Sequence, residues 1–529
     1  MVGIEAKLPR SDSEDFKSKS NAALDLVNSY CIDLFADQYQ KPYAVINVNA
    51  HAETIPITSS NFKHWIASIY YQVHKATLSS EDLTGALNAL KGRALFEGPR
   101  RHIELRTATM PGDDSTIYYD LTNPKWQCVK ITKDGWSVQQ APVLFSRYNN
   151  HIEQAEPAKN APPDIFDKFL ALTNVASDDQ KLLCKVYIVA LFIPNIAKPV
   201  LLTHGEQGAG KTFTELLIKL LVDPSVAETL TFPKSPTELI QQLSHNYIAL
   251  YDNVSHMDDW ISDSLCKAVT GGGASKRALY SDDDDIIYNF KRCIMLNGIN
   301  VVARKADLLD RSIMIQLERI APDKRRKETD LRAELNAIKP QLLGYIMDIL
   351  VRVLKRKGEV QLPEYPRMAD FAEVGELMAR CMGYPDGEFT RAYFANIKLQ
   401  TTEVLEANPV AAAIIKLMEN RDSWGPGQLR DLLEQLNNVA GELRIDTKAR
   451  LWPKAPNTLS RRLNEVKTNL REIGILVKKD TDPRTNTNLV EVRKVSPVSP
   501  EPPEPQNHAQ NTPQAAGDTP GDTFKNTSG

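Results

Sequence analysis

The stretch Leu201–Phe213 reads LLTHGEQGAGKTF, and residues 205–212 within it satisfy the pattern G-x-x-x-x-G-K-[ST] at every fixed position. Glycines let successive backbone N–H groups turn inward around a β-phosphate, and a helix that begins at the lysine adds its positive end. The pattern therefore predicts a phosphate-binding loop. Its residues are Gly205, Glu206, Gln207, Gly208, Ala209, Gly210, Lys211 and Thr212.

The flanks of this loop support the same interpretation. The apolar run Pro199–Leu202 before it predicts a buried strand, and the amphipathic run Phe213–Leu221 after it predicts a helix. In that setting the expected ligands are ATP and Mg²⁺. Lys211 would reach the β- and γ-phosphates, and Thr212 would offer its hydroxyl group to Mg²⁺.

Length and composition bound the class of protein. The chain of 529 residues suggests about three domains, and 42% apolar with 25% charged residues is ordinary for a soluble protein. The six cysteines are scattered without a C-x-x-C pair, which argues against a disulfide scaffold or a zinc site and favours a reducing, cytoplasmic compartment. The start lacks a signal-peptide core, and the longest apolar run, Val186–Ile193, is too short to cross a membrane.

Two further buried runs end in polar residues that suit an ATPase. The run YIALYD ends at Asp252, which would hold Mg²⁺ through water, and the strand-like Cys293–Leu296 is followed by Asn297. Asn297 would bind the γ-phosphate or the attacking water; the alternative is a strand-end cap. Arg311, just before another apolar run, suits a finger that reaches the ATP of a neighbouring subunit. Its alternative is a structural salt bridge.

The order of these motifs resembles the superfamily 3 helicases, the compact AAA+ ring helicases of viruses, phages and plasmids. Between Asp252 and Asn297 lies KAVTGGGASKRALY (267–280), and the resemblance covers about residues 194–319 in motif order, the Thr-Gly-Gly core, the Asn and the Arg. The likeness is greatest to the poxvirus-type and the phage or plasmid replication helicases. Asn253 departs from the pattern, because many AAA+ ATPases have a Glu there, so the general base stays open.

The resemblance implies a hexameric ring that translocates on single-stranded DNA. Its pore would be lined by a β-hairpin after Thr270, with Lys276 and Arg277 gripping phosphates. The alternative for this basic pair is a solvated or inter-subunit role. The acidic run 282–285 is unexpected in a pore, because four carboxylates repel a nucleic-acid backbone.

The C-terminal region predicts a second DNA-binding element. Residues 428–494 hold fourteen Lys/Arg against nine Asp/Glu, although the whole chain has a net charge of −3. Two amphipathic runs followed by a short basic hairpin are typical of a winged helix-turn-helix. A winged fold used for protein contacts is the alternative. The candidate DNA contacts are Arg461, Arg462 and Lys467 on the second helix, and Lys478, Lys479 and Arg484 on the wing.

The predicted fold class is an α/β P-loop AAA+ core, a parallel sheet with helices on both faces. It is preceded by a small α+β module, which opens with a helix over Lys19–Gln38, and followed by helices and the winged helix. The predicted segments are 1–155 (α+β module), 156–320 (ATPase core with a helical collar), 321–425 (helical lid), 426–494 (winged helix) and 495–529 (disordered tail).

Two functions fit these patterns. The first is an ATP-dependent DNA helicase or translocase that replicates a phage or plasmid, acting as a ring with shared ATPase sites and no membrane partner. The second is a weakly hydrolysing initiator or loader that uses ATP to assemble at an origin. A primase or polymerase is a further candidate partner.

Overall fold

The N-terminal part combines helices with a small antiparallel sheet of order β1-β2-β3. The computed structural model of the chain describes residues 18–48, 51–272, 274–277, 285–288, 291–298, 305–449, 452–482 and 487–495. The first elements are α1 (Lys19–Tyr30), β1 (Cys31–Ala36), β2 (Pro42–Val48), β3 (His51–Pro56), α2 (Ser60–His74) and α3 (Ser80–Gly92).

The predicted helix over Lys19–Gln38 is wrong beyond Tyr30. Residues 31–36 form a strand instead, which pairs antiparallel with β2. The ring of Phe35 stacks on Tyr43 of that partner strand with 5.6 Å between centroids. A local apolar pattern is thus overridden by a pairing partner further along the chain.

A second sheet follows, an antiparallel meander of order β5-β6-β7-β8, while β4 pairs in parallel with β9. Two helices then lead into the central sheet. These elements are β4 (Ile103–Glu104), β5 (Thr107–Met110), β6 (Asp113–Asp120), β7 (Gln127–Thr132), β8 (Gly135–Gln140), β9 (Leu144–Phe145), α4 (Ile165–Leu170) and α5 (Asp178–Ala190).

The central sheet is parallel, has the order β11-β14-β10-β15, and places the strand before the phosphate-binding loop between two others. This confirms the predicted parallel α/β sheet. The elements are β10 (Val200–His204), α6 (Lys211–Val222), α7 (Pro236–His245), β11 (Ile248–Tyr251), α8 (Asp259–Thr270), β12 (Ala274–Arg277), β13 (Asp285–Tyr288), β14 (Cys293–Gly298), α9 (Ala306–Leu309) and β15 (Ser312–Gln316).

Helices and a last antiparallel sheet of order β16-β18-β17 complete the chain. Ser423–Gln428 forms a strand although its sequence, SWGPGQ, contains two glycines and a proline. It lies at the edge of the sheet, where a missing N–H is tolerated. The elements are α10 (Glu328–Lys355), α11 (Ala369–Cys381), α12 (Glu388–Ala407), α13 (Pro409–Met418), β16 (Ser423–Gln428), α14 (Leu429–Glu442), α15 (Pro456–Glu472), β17 (Ile475–Asp482) and β18 (Thr487–Lys494).

The largest apolar core is continuous from the β5–β8 sheet to the central sheet and helices α10 to α12. Polar contacts join the same parts at the far end of α6. The buried Arg106 forms an ion pair with Asp223, with 2.8 Å between Nη2 and Oδ1, and the Tyr119 hydroxyl donates to the carbonyl of Val222. Smaller cores enclose α1 to α3 and the C-terminal residues 405–492.

Among the described helices, we find none whose length and apolar content would let it cross a membrane. The segment boundaries given by the sequence stay predictions.

Candidate nucleotide-binding site

The loop between β10 and α6 has glycine at three positions where φ is positive, Gly205, Gly208 and Gly210. Gly205 has φ +141°, and a Cβ there would lie 2.1 Å from the carbonyl oxygen of Leu317. Gly210 has φ +77° and caps the first turn of α6, which begins at Lys211. Any side chain at Gly205 would displace the chain after β15, so the P-loop motif is supported here by packing as well as by pattern.

Lys211 lies across this loop. Its Nζ donates to the carbonyl oxygens of Gly205, at 2.7 Å, and Glu206, at 2.9 Å. Partial burial lowers the pKa of Lys211, while the nearby charges of Asp252 and Glu215 oppose that shift. The ammonium group is therefore held at the loop by neutral carbonyls, contacts that a phosphate group can outcompete as a charge-assisted partner.

Thr212 and Asp252 meet although forty residues separate them. The Thr212 hydroxyl donates to Oδ1 of Asp252 at 2.7 Å, because α6 and the end of β11 converge at the carboxyl edge of the sheet. A hydroxyl and a carboxylate oxygen side by side are ligands that Mg²⁺ accepts. These donors therefore fit the cation that the P-loop motif predicts.

Asn297 lies on β14 behind this pair, and both ends of its amide are bonded. Its Nδ2 donates to Oε2 of Glu215 at 2.8 Å, and its Oδ1 accepts from the backbone N–H of Asn253 at 2.9 Å. Asn253 has φ +52°, a left-handed turn just after Asp252. Asn297 therefore fixes the turn that carries Asp252.

Glu215 is the buried residue that motif analysis missed. Its side chain is 0% exposed, and its Oε1 accepts from the Thr203 hydroxyl at 2.9 Å. Burial raises the pKa of Glu215 to about 8, although the hydrogen bonds from Asn297 and Thr203 oppose that rise. The available signal was a carboxylate on the buried side of α6, one turn before the buried Lys219.

Arg311 is not part of this group within one chain. Its carbonyl oxygen accepts from the N–H of Val200 at 2.8 Å, so it lies at the amino edge of the sheet, opposite the P-loop. Its side chain is 11% exposed and forms an ion pair with Asp307. Its role toward a neighbouring subunit stays a prediction.

The predicted DNA contacts are distributed over two places. Lys276 and Arg277 lie on β12, which pairs antiparallel with β13, and their side chains fall outside the described residues, as do Arg484 and residues 282–284. In the C-terminal part, Lys467 is exposed. The Nζ atom of Lys478 lies 3.7 Å from Oδ2 of Asp480.

Three other basic residues of the C-terminal part have partners in their own chain. Lys479 Nζ donates to the carbonyl of Ser460 at 2.6 Å and to Asn464 Oδ1 at 2.8 Å, so it ties β17 to α15. Arg461 and Arg462 both pair with Glu465.

Comparison with known protein families separates two parts of the chain. Residues 166–397 match the model described as the actinomycete integrative conjugative element replication protein, and residues 410–508 match the model of its C-terminal domain. The chain is similar to a replication protein of a conjugative element. The expected role in replicating a mobile element is confirmed at this level, with a conjugative element where the sequence suggested a phage or plasmid. A search of curated proteins found no match.

Solved structures give weaker likenesses. An active helicase, Cch of SCCmec type IV, is 12% identical over 88% of this chain and 93% of that one, with a TM-score of 0.42. An apo C-terminal region of NrS-1 is 12% identical over 89% of this chain and 98% of that one, with a TM-score of 0.38. A JCV helicase with a bound acetamide compound is 14% identical over 46% of this chain and 67% of that one, with a TM-score of 0.23. With TM-scores under 0.5, these likenesses do not decide the activity.

Proposed function

We propose that this replication protein is an ATP-dependent DNA helicase or translocase that works as a ring with ATPase sites shared between subunits. The observation that carries the proposal is the hydrogen bond between Thr212 and Asp252 beside the glycine-dependent loop of Lys211. In P-loop enzymes these three residue types hold Mg²⁺ and the β- and γ-phosphates.

The chemistry would be hydrolysis of the β–γ phosphate bond. Thr212 would hold Mg²⁺ directly and Asp252 would hold it through water, and the ion would supply charge that stabilises the transition state. Lys211 adds a second positive charge at the transferred phosphate. Asn297 would play a supporting role: its Oδ1 accepts from the backbone N–H of Asn253, so it fixes the turn that positions Asp252.

The ring assembly is supported by the position of Arg311. Arg311 lies at the sheet edge opposite its own P-loop, so an ATP that it reached after leaving its ion pair with Asp307 would belong to another subunit. The superfamily 3 assignment, the hexamer and the winged helix belong to the same proposal. In it, the β12–β13 hairpin faces the single strand, and α15 with β17 and β18 contacts duplex DNA.

The weakly hydrolysing initiator is the second candidate, and one observation favours it. Position 253 holds an Asn whose backbone N–H is engaged by Asn297, and no Glu stands there to activate water. This candidate predicts slow ATP turnover that single-stranded DNA does not change.

The deciding experiment measures ATP turnover with and without single-stranded DNA for the wild type, Lys211→Ala and Arg311→Ala. We expect DNA-stimulated turnover that falls at least about a hundredfold in each variant, since an arginine finger is worth about 10³–10⁵ in rate. Mixing the two variants should restore part of the activity, because Arg311 of one chain then meets Lys211 of another. Arg391→Ala, which also removes an Arg ion-paired with an Asp, is the matched control.

Slow turnover that is indifferent to DNA and to Arg311 would favour the initiator instead. If turnover is lost in Lys211→Ala but unchanged in Arg311→Ala, the ATPase activity is supported and the proposal of a site shared between subunits is rejected.

A further inference from the structure

A polar cavity lies at the amino edge of the central sheet, away from the P-loop. Its volume is about 150 Å³, and it lies between the start of the central strands and the region of β2, β4 and β9, open to solvent on one side. Lys198 precedes β10, Arg292 precedes β14 and Tyr247 precedes β11, so three strands of the central sheet begin at its wall.

Lys198 is the unusual residue of this cavity. It is 4% exposed, and its Nζ donates to the carbonyl of Pro194 at 2.8 Å. Among the described residues it forms no ion pair. A buried ammonium group is costly unless an anion compensates it. Burial lowers the pKa of Lys198 to about 8; the charges of Lys291 and Arg292 add to that effect, and the charge of Glu104 opposes it.

The other charges around the cavity leave an excess of cations. Its lining contains four Lys or Arg side chains and two carboxylates, those of Asp37 and Glu104. Each carboxylate has a partner already. Asp37 Oδ1 accepts from the backbone N–H groups of Tyr39 and Lys41 at 2.8 and 2.7 Å, and Glu104 lies 3.5 Å from His102. The basic residues are Lys41, Lys198, Lys291 and Arg292.

A buried neutral donor also lies in the wall. Ser146 is 2% exposed, and its hydroxyl group lies beside the hydroxyl of Tyr43, which lines the same cavity. A hydroxyl group rotates to suit its partner, so Ser146 can donate to an acceptor bound in the cavity. Exposed His102, Asn195 and Lys291 form the rim through which a ligand would enter.

We propose that this cavity binds a phosphate monoester group, with Lys198 and Arg292 as its buried cationic contacts and Ser146 as a neutral donor. The excess of two positive charges matches a monoester, which carries about −1.5 to −2 at pH 7. One water needs about 10–15 Å³ by the same measure, so the cavity takes a tetrahedral oxyanion with room to spare. It is smaller than the roughly 300–1,000 Å³ pockets that enclose a drug-sized ligand, so it receives the phosphate group alone.

The test measures binding of inorganic phosphate to the full chain by titration calorimetry at constant ionic strength. The chain carries Lys211→Ala so that the P-loop does not contribute. We expect saturable binding that weakens at least tenfold in Lys198→Met and a few-fold in Ser146→Ala and Lys291→Met. Lys339→Met, which changes another buried lysine outside the cavity, should bind phosphate as tightly as the parent.

Absence of saturable phosphate binding, or equal affinity in Lys198→Met, overturns the proposal. Should Lys198→Met fail to fold, Ser146→Ala and the rim variant Lys291→Met decide in its place, and unchanged affinity in both rejects the site. Acetate that competes as well as phosphate rejects the phosphate class.

Oligonucleotides identify the source of the phosphate. Tighter binding of a 5′-phosphorylated strand than of its 5′-hydroxyl form, lost in Lys198→Met, assigns the site to a DNA end. Equal binding of the two strands, with phosphate binding intact, assigns it to free phosphate or a small phosphate ester.

Discussion

Glu215 shows how one buried carboxyl group can set a pH dependence. Its pKa is about 8 in the folded chain, well above that of an exposed Glu, because burial favours the neutral form. The folded state therefore holds this proton more tightly than the unfolded state. The stability that it contributes is complete below about pH 4.5 and is lost as the pH rises through about 8.

Glu215→Gln should remove this dependence while keeping the contacts, since the amide can accept from Asn297 and donate to Thr203. We expect the variant to be within about 1 kcal/mol of the wild type at pH 5 and more stable than it by a few kcal/mol at pH 9. Urea unfolding at pH 5, 7 and 9 measures this difference. A constant difference across that range would contradict it.

Glu376→Gln is the matched control. Glu376 is also buried, and burial favours its neutral form, but hydrogen bonds from Gly387, Arg380 and Thr390 lower its pKa overall. Its contribution is present above the pKa of an unfolded Glu and is lost as the pH falls. The pH trend of this control should therefore have the opposite sign.

At this scale the sequence identifies the residues of a fixed motif and misses those that support them. Lys211, Thr212 and Asp252 come together as their spacing predicts. Glu215 carries no motif, and only its place on α6 beneath Asn297 gives it a role.

At the scale of elements, the ion pair between Arg106 and Asp223 joins the β4–β5 connection to the end of α6. Arg106 is fully buried, and its Nη1 also donates to the Thr122 hydroxyl at 2.7 Å. Arg106→Met leaves the Asp223 carboxylate buried without its cation. We expect a loss of about 3–5 kcal/mol in the free energy of unfolding, measured by urea denaturation.

The double variant with Asp223→Asn should recover part of that loss, because the uncompensated charge is removed. Arg147→Met, which also breaks a pair with a buried Asp, but at a partly exposed site, should cost less. An Arg106→Met variant as stable as the wild type would show that the pair is dispensable.

Helices and strands were predictable where the pattern is local and long. The run Asn457–Ile473 agrees with α15 within one residue at each end. The strands Cys31–Ala36 and Ser423–Gln428 were not predictable, because each depends on its partner strand, β2 for the first and β18 for the second, rather than on its own composition.

At the scale of the whole molecule, the β5–β8 sheet and the central sheet share one core. A fragment that begins at residue 156 loses Arg106 and the apolar residues of that sheet. We expect it to melt at least about 10 °C below the full chain, since each kcal/mol shifts the melting temperature by about 2–4 °C in large domains. Calorimetry measures this, and a fragment that begins at residue 102 is the control.

Equal melting temperatures for the full chain and the fragment from residue 156 would show that the central sheet is stable alone. The sequence alone could not reveal this shared core, because its contacts join residues that are far apart in the chain. Trp136 Nε1, for example, donates to Asp348 Oδ1 at 2.8 Å across 212 positions.

Helix α6 gives the two ends of this arrangement a mechanical link. It begins at Lys211 and ends at Val222, twelve residues or about 18 Å of stiff rod. Its first turn bears the phosphate-binding lysine, and its last is clamped by Tyr119 and, through Asp223, by Arg106. Since these contacts join the helix directly to β6 and to the β4–β5 connection, a displacement of its lysine end would be felt in the β5–β8 sheet.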